Sequence, residues 1–288
     1  MDELAKYAVE SFYLRASAPE PNDVGYAYFL VYNRRLVYRL ATRALNEVTV
    51  GDKSDVAPLR ILDLGCGTGE HLDYLLRWGP QTLREPGTAP IVRGIDANEG
   101  ALRLARARFM QLGVRADFIF GDVSAPLPFA TDSFDLAFCT EVLQYLNRPE
   151  ELLGELGRVL RPGGLCVVTA ANDPTLQGAL RRVVHRRAQS PPRAPRDVVQ
   201  IEGARVELFG SVSGRSVRQW ERTLAAAGFE VVSLGSYECV RRHTTGAGRF
   251  ALMLFFLANF AVSFLPARIG RRFGATSAML VRNRNETS

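Results

Sequence analysis

The chain has 288 residues, 47% of them hydrophobic and 23% charged, with a net charge of +6; this suits a globular protein of one large domain or two small ones. The basic excess is arginine, since Lys6 and Lys53 are the only lysines, and a balance of this size selects neither nucleic acid, nor an anionic membrane surface, nor acidic substrates. Four cysteines, Cys66, Cys139, Cys166 and Cys239, form no CxxC pair, so no metal site and no disulfide framework is expected, and the thiols read as reduced and intracellular.

The N-terminal stretch MDELAKYAVESFYL carries acids and no apolar core, so no secretory leader is expected. Val24–Leu45 places apolar and aromatic residues at three- and four-residue steps behind the turn residues Pro19 and Pro21, and predicts a helix. From Leu59 the texture changes to short apolar runs alternating with helical patterns. Strands are predicted at 59–64, 90–96, 116–122, 134–139 and 164–171. Helices are predicted at 70–78, at 97–112 with Leu102, Ala105, Phe109 and Leu112 on one face, and at 150–160, closed by Arg161-Pro162-Gly163-Gly164. Residues 173–212 break the alternation; the basic, proline-rich stretch 181–196 within them reads as a short helix running into a loop, with order expected to return at Ser216. Ser216 and Gln219 form a capping-box pattern and Gly228 stands where a helix ends. Strands follow at 229–237 and 276–283. The alternation predicts α/β architecture around a mainly parallel sheet.

The first strand runs into Gly65, Gly67 and Gly69. Glycines between a strand and a helix let the backbone turn sharply and approach a ligand. A phosphate-binding loop needs GxxxxGK[ST], and no lysine follows here. Dinucleotide binding needs GxGxxG or GxGxxA, but Glu70 holds the last position, where a carboxylate would repel a pyrophosphate. The spacing is GxGxG behind Asp63, and an acid before the glycines suits a cationic ligand without phosphate.

At this point the chain resembles a family. The stretch ILDLGCGTGE resembles the first motif of the class I S-adenosylmethionine-dependent methyltransferases, in their small-molecule, type-11-like branch. IVRGIDANEGALRLAR, FIFGDVSAPLPFATDSFDLAFCTEVLQYL, ELGRVLRPGGLCVVTAAN and AAAGFEVVSL resemble the following segments in order. The resemblance covers about residues 58–240 plus the last strand. It implies a Rossmann-like, seven-stranded, mainly parallel sheet with helices on both faces and the last strand antiparallel. It also implies an N-terminal helical cap over residues 1–57 and a methyltransferase domain over 58–288, with insertions at 173–215 and 241–275.

The roles that the resemblance implies follow position by position. Gly65, Cys66, Gly67 and Gly69 line the methionine and ribose parts of S-adenosylmethionine with their backbone. Asp63 helps hold the ammonium end through water or main chain. Asp96, with Ala97 beside it, takes the ribose hydroxyls. Asp122 and the Val123 N–H meet the adenine, and Thr140 borders the methyl. The gap from Gly69 to Asp96 is lengthened by GPQTLREPGTAP, read as a surface insertion. Asp96 also reads as a cap for the helix at 97–112, and Asp122 as a turn residue before SAPLP.

Methyl transfer is a displacement with a neutral leaving group, so positioning supplies much of the acceleration. A general base is needed only for a protonated acceptor. Many relatives carry a histidine in the segment that reads EVLQYL here. This chain offers Glu141, Tyr145 and His71 as candidates, Glu141 best by location. The expected acceptor is a small lipophilic or secondary-metabolite molecule, methylated on O, N or C. A non-enzymatic, cofactor-binding member of the fold and an RNA or protein methyltransferase are the rival readings. The arginine cluster 181–196 lacks interleaved aromatics, so no nucleic-acid partner is expected.

Tyr26, Tyr28, Phe29, Tyr32 and Tyr38 read either as a lid over the acceptor or as core packing. Phe250–Leu265 carries no charge over its length and is short for a membrane span. Arginines at 241, 242, 249, 268, 271 and 272 flank it. Residues 249–272 therefore read as a helix on an anionic membrane surface, or equally as one buried against the domain or a homodimer partner. The chain is expected to be cytoplasmic, with membrane association open.

Overall fold

The computed structural model describes residues 36–48, 58–78, 89–172, 197–201, 204–208, 215–237 and 276–285. The first element is helix α1 (residues 36–48). Strand β1 (Arg60–Leu64) is the apolar run before the glycines and is buried on both faces from Ile61 onward. Helix α2 (Glu70–Trp78) leads to β2 (Ile91–Asp96), and α3 (Glu99–Leu112) to β3 (Ala116–Phe120). Strand β4 (Phe134–Cys139) ends in a single 3-10 turn, Leu143–Tyr145, before α4 (Pro149–Val159) and β5 (Leu160–Ala171). A hairpin of β6 (Asp197–Ile201) and β7 (Ala204–Leu208) precedes α5 (Val217–Ala226), β8 (Phe229–Tyr237) and β9 (Thr276–Asn283).

The main sheet has seven strands in the order β3-β2-β1-β4-β5-β9-β8. Strands β1 to β5 pair in parallel, and β9 runs antiparallel between β5 and β8. Parallel neighbours need crossovers, and helices supply them. Helices α1, α2 and α3 cover one face, where Leu40, Leu76 and Phe109 pack over Ile61, Phe138 and Val167. Helices α4 and α5 cover the other, where Leu156 and Trp220 pack over Leu64 and Val168. The chain leaves β1 for β2 on one side and places β4 on the other. The carboxyl ends of β1, β2 and β4 therefore open a crevice, the usual ligand position in such sheets.

The capping box at Ser216 and Gln219 is formed, and Gly228 takes φ +83 just beyond α5. Three expectations are corrected. Helix α3 starts at Glu99 rather than Ala97, because Asn98 is its cap and accepts the Ala101 N–H; Asp96 is therefore not the cap. Arg161–Gly164 do not separate α4 from a later strand. Strand β5 begins at Leu160, and these residues bulge within it, since Phe134 pairs with Leu160 and Leu136 with Leu165. Within 173–212, order returns before Ser216, because Asp197–Ile201 and Ala204–Leu208 are strands. Val199 pairs with Val206 in the antiparallel hairpin, whose β-branched runs flank Gly203.

Residues 24–35 of the expected N-terminal helix, residues 79–88 of the stretch read as an insertion, the basic stretch 181–196 and the apolar run Phe250–Leu265 lie outside the described residues, as do Cys239, His185 and His243. Among the described residues no helix is long and apolar enough to cross a membrane.

Candidate functional site

The loop after β1 is tied to the end of β2, because the N–H groups of Gly65 and Cys66 both donate to the Ile95 carbonyl, at 2.8 and 3.2 Å. Gly65, Gly67 and Gly69 take φ of +65°, +53° and +74°, the left-handed region that glycine enters without strain. Their surroundings differ. A Cβ on Gly65 would lie 2.4 Å from Val142 Cγ2, and one on Gly69 would lie 3.0 Å from the Phe109 ring, whereas one on Gly67 would meet nothing within 4 Å. Gly65 and Gly69 are thus closed in by the protein, and the chain is open at Gly67. Helix α3 fixes the loop from the side. The Arg108 guanidinium donates to the Thr68 carbonyl at 2.9 Å and lies 3.8 Å from the Asp73 carboxylate. In the sequence Arg108 is one of several arginines on that helix, and nothing there separates it from the solvated ones.

Two acids meet at this loop. Asp63, at the buried end of β1, is 1% exposed, and its Oδ1 has no hydrogen-bond partner among the described residues. Burial first, and the charge of Asp96 second, push its carboxyl from the ordinary 3.8 up to about 8. Asp96 ends β2 and is held by backbone. Its Oδ2 accepts the Gly67 N–H and its Oδ1 the Asn98 N–H, both at 2.8 Å. Burial raises its carboxyl, and those two N–H groups pull it back down. Cys66 sits between the acids. Burial, then Asp63 and Asp96, hold its thiol protonated well above the usual range, so it is a packing residue rather than a nucleophile.

The Gly121 N–H donates to the Asp96 carbonyl at 3.0 Å and brings the next turn beside β2. In that turn Asp122 is exposed and its Oδ1 accepts the Ser124 N–H at 2.8 Å, while Val123 is buried. The turn role expected of Asp122 is therefore realised, and its place beside Asp96 and the exposed Ala97 is also the expected adenine edge.

Across the crevice, beyond β4, Thr140 is buried, with its Oγ1 3.4 Å from His71 Nδ1. His71 is half-buried, not a surface residue of α2, and its ring lies 6.1 Å from that of Tyr38 on α1. Tyr38 is the one member of the N-terminal aromatic series within the described residues, and it is buried at the site. Glu141 takes φ +59, a strained conformation for a residue with a side chain. Its N–H donates to Thr169 Oγ1 at 2.6 Å, its Oε1 accepts the Thr169 hydroxyl at 3.3 Å, and its Oε2 accepts Gln144 Nε2 at 2.8 Å. Tyr145, one residue on, is partly exposed. Thr169 and Gln144 were not expected at the site. Thr169 is a single polar residue in an apolar strand, and Gln144 stands out in the sequence only by not being histidine.

These groups suit an adenosyl amino acid. The open backbone at Gly67 and the acceptors of Asp96 fit a ribose. The unsatisfied Asp63 oxygen fits a cation, and the two acids Asp63 and Asp96 at the loop disfavour phosphate.

Comparison with known proteins agrees with this geometry. Residues 62–168 match the family model described as a methyltransferase domain. The chain is 30% identical over 178 residues to the malonyl-[acyl-carrier protein] O-methyltransferase of Paenibacillus sp. (strain JDR-2), covering 60% of this chain and 56% of that protein. It is 35% identical over 133 residues to 24-methylenesterol C-methyltransferase 2 of Oryza sativa subsp. japonica, covering 45% and 34%. An S-adenosylmethionine-dependent methyltransferase from Mesorhizobium loti superposes with a TM-score of 0.50 at 18% identity, covering 86% of this chain and 98% of that one; that likeness shows the fold alone. The chain spans no more than 56% of the length of the first curated relatives it matches.

Proposed function

The chain belongs to the class I S-adenosylmethionine-dependent methyltransferase family, and we propose that it transfers the methyl of that cofactor to O, N or C of a small, lipophilic acceptor. The observation that carries this reading is the convergence of Asp63, the open Gly67 backbone and Asp96 at the sheet's reversal point. When bound, S-adenosylmethionine supplies a methyl on a sulfonium, an electrophile whose leaving group is a neutral thioether. Asp96 offers its remaining lone pairs to the ribose hydroxyls. Asp63 balances the ammonium. The backbone of Gly65, Cys66, Gly67 and Gly69 lines the methionine and ribose. Ala97, Asp122 and the Val123 N–H border the adenine, and Thr140 stands at the methyl side. Glu141, Tyr145 and His71 are the groups placed to receive a proton.

Incubation with S-[methyl-3H]adenosylmethionine and a small-metabolite extract tests the reading. Label is expected in low-mass products together with release of S-adenosylhomocysteine. Tight binding of S-adenosylhomocysteine without any labelled product would instead support a cofactor-binding scaffold.

The lipophilic character of the acceptor rests on Phe250–Leu265 and its flanking arginines. If residues 249–272 dock on an anionic surface, the protein sediments with anionic vesicles at low salt, and replacing Phe255 and Phe256 by serine weakens this. Protein that stays in the supernatant at every salt concentration assigns the segment to the domain or to a homodimer interface.

A further inference from the structure

Three features meet at Glu141 that folding does not require. First, a residue with a side chain occupies the left-handed region, at φ +59, where strain persists only if the surroundings impose it. Second, the Thr169 hydroxyl is used twice, accepting the Glu141 N–H and donating to its Oε1. Third, Gln144 is 2% exposed and spends its amide on Glu141 Oε2, leaving its Oε1 buried without a partner among the described residues. A leucine at 144 would fill much the same space and bury no unsatisfied acceptor, so the glutamine costs stability where it stands. Both supporting side chains are enclosed while Glu141 itself is exposed, just past β4 at the crevice. Each carboxylate oxygen receives one donor from a buried residue, and this fixes the group in one orientation.

We propose that Thr169 and Gln144 are positioning residues that hold Glu141 as the proton-accepting carboxylate, and that the acceptor is therefore a group that loses a proton on methylation, such as an O–H or N–H, and not a tertiary amine or a thioether. This rests on methyl transfer as the chain's activity. In the transfer the new O–C or N–C bond forms as the methyl's bond to sulfur breaks and the sulfur leaves as a neutral thioether. The acceptor's proton passes to the Glu141 carboxylate and from there to water.

The test uses the full chain, S-[methyl-3H]adenosylmethionine, and a panel of phenols, alkanols, anilines and primary and secondary alkylamines beside tertiary amines and thioethers, which have no proton to lose. Wild type is expected to label the O–H or N–H members and not the tertiary amines or thioethers. Thr169→Val and Gln144→Leu are expected to lower kcat by about tenfold or more, as loss of an aligned base does. Their S-adenosylhomocysteine affinity stays within about twofold of wild type, since neither side chain belongs to the Gly65–Gly69 loop. Thr169→Ser restores kcat because it returns the hydroxyl, and Gln144→Leu melts at or above the wild-type temperature. The proposal is overturned by labelling of the tertiary amines or thioethers alone, by wild-type kcat in both variants, or by S-adenosylhomocysteine binding with no transfer to any member. Failure of wild type to bind S-adenosylhomocysteine would instead overturn the methyltransferase reading beneath it.

Discussion

Asp96→Ala is expected to weaken S-adenosylhomocysteine binding by about 100-fold or more, and to destabilise the apo protein as well. The carboxylate serves the protein and the ligand together. Its two oxygens each accept one backbone N–H, from Gly67 and Asn98. The lone pairs that remain are the ones the ribose would use. A hydrogen bond to a charged group contributes roughly 1.5–3 kcal/mol, so losing two ribose bonds amounts to about 3–6 kcal/mol, and each 1.4 kcal/mol is about tenfold in affinity. The two N–H groups left without their acceptor cost about 1–3 kcal/mol each where water does not reach them. Asp96→Asn separates these effects poorly by design of the site. Its amide offers one acceptor where two N–H donors point, so one of them faces a donor, and it should bind almost as weakly as alanine. Calorimetry with S-adenosylhomocysteine and a urea titration of each variant read the two losses. Wild-type affinity in Asp96→Ala would remove Asp96 from the ribose position, whatever its role in the loop.

The same residue shows what the sequence could disclose and what it could not. Asp96 was legible because it ends the apolar strand that follows the Gly65–Gly69 turn, across a lengthened gap, and strand ends in a parallel sheet are where ligands lie. Its hydrogen bond to the Gly67 N–H was not, because that contact joins residues 29 apart and depends on the turn closing. Strands β8 and β9 were legible to the residue, because alternation and flanking turn residues bound them. The start of β5 was not, because proline and two glycines read as a stop, although the chain absorbs them as a bulge with Gly163 at φ +73. The hairpin at 197–208 was hidden by the proline-rich, basic stretch before it. Thr169 and Gln144 were invisible for a different reason. Their significance lies in the Glu141 carboxylate, which Thr169 meets from a separate strand, and in one unsatisfied oxygen of Gln144, and neither has a signature in composition or periodicity.

The second large effect is a pH dependence centred on Asp63. In the folded chain burial, with the Asp96 charge adding to it, raises this carboxyl from 3.8 to about 8. The folded state thus holds the proton more tightly than the unfolded chain, which releases it near the ordinary value. The stability associated with that proton is fully present below the unfolded value, and it is lost as pH rises toward about 8. Without ligand, the melting temperature of wild type is expected to fall across that window more steeply than that of Asp63→Asn, which has nothing to ionise. A cation reverses the balance, because the ammonium of S-adenosylhomocysteine favours the ionised carboxylate. Affinity in wild type should climb with pH by up to about tenfold per unit between roughly pH 6 and pH 8, with proton release on binding. Calorimetry in two buffers of different ionisation enthalpy reads that release. Asp63→Asn should bind weakly and without the slope. Methylthioadenosine, which lacks the amino-acid end, should show no slope even with wild type. If the slope for S-adenosylhomocysteine is equal in Asp63→Asn and wild type, Asp63 is out of the ammonium's reach, and the acid before the glycines serves only to close the end of β1.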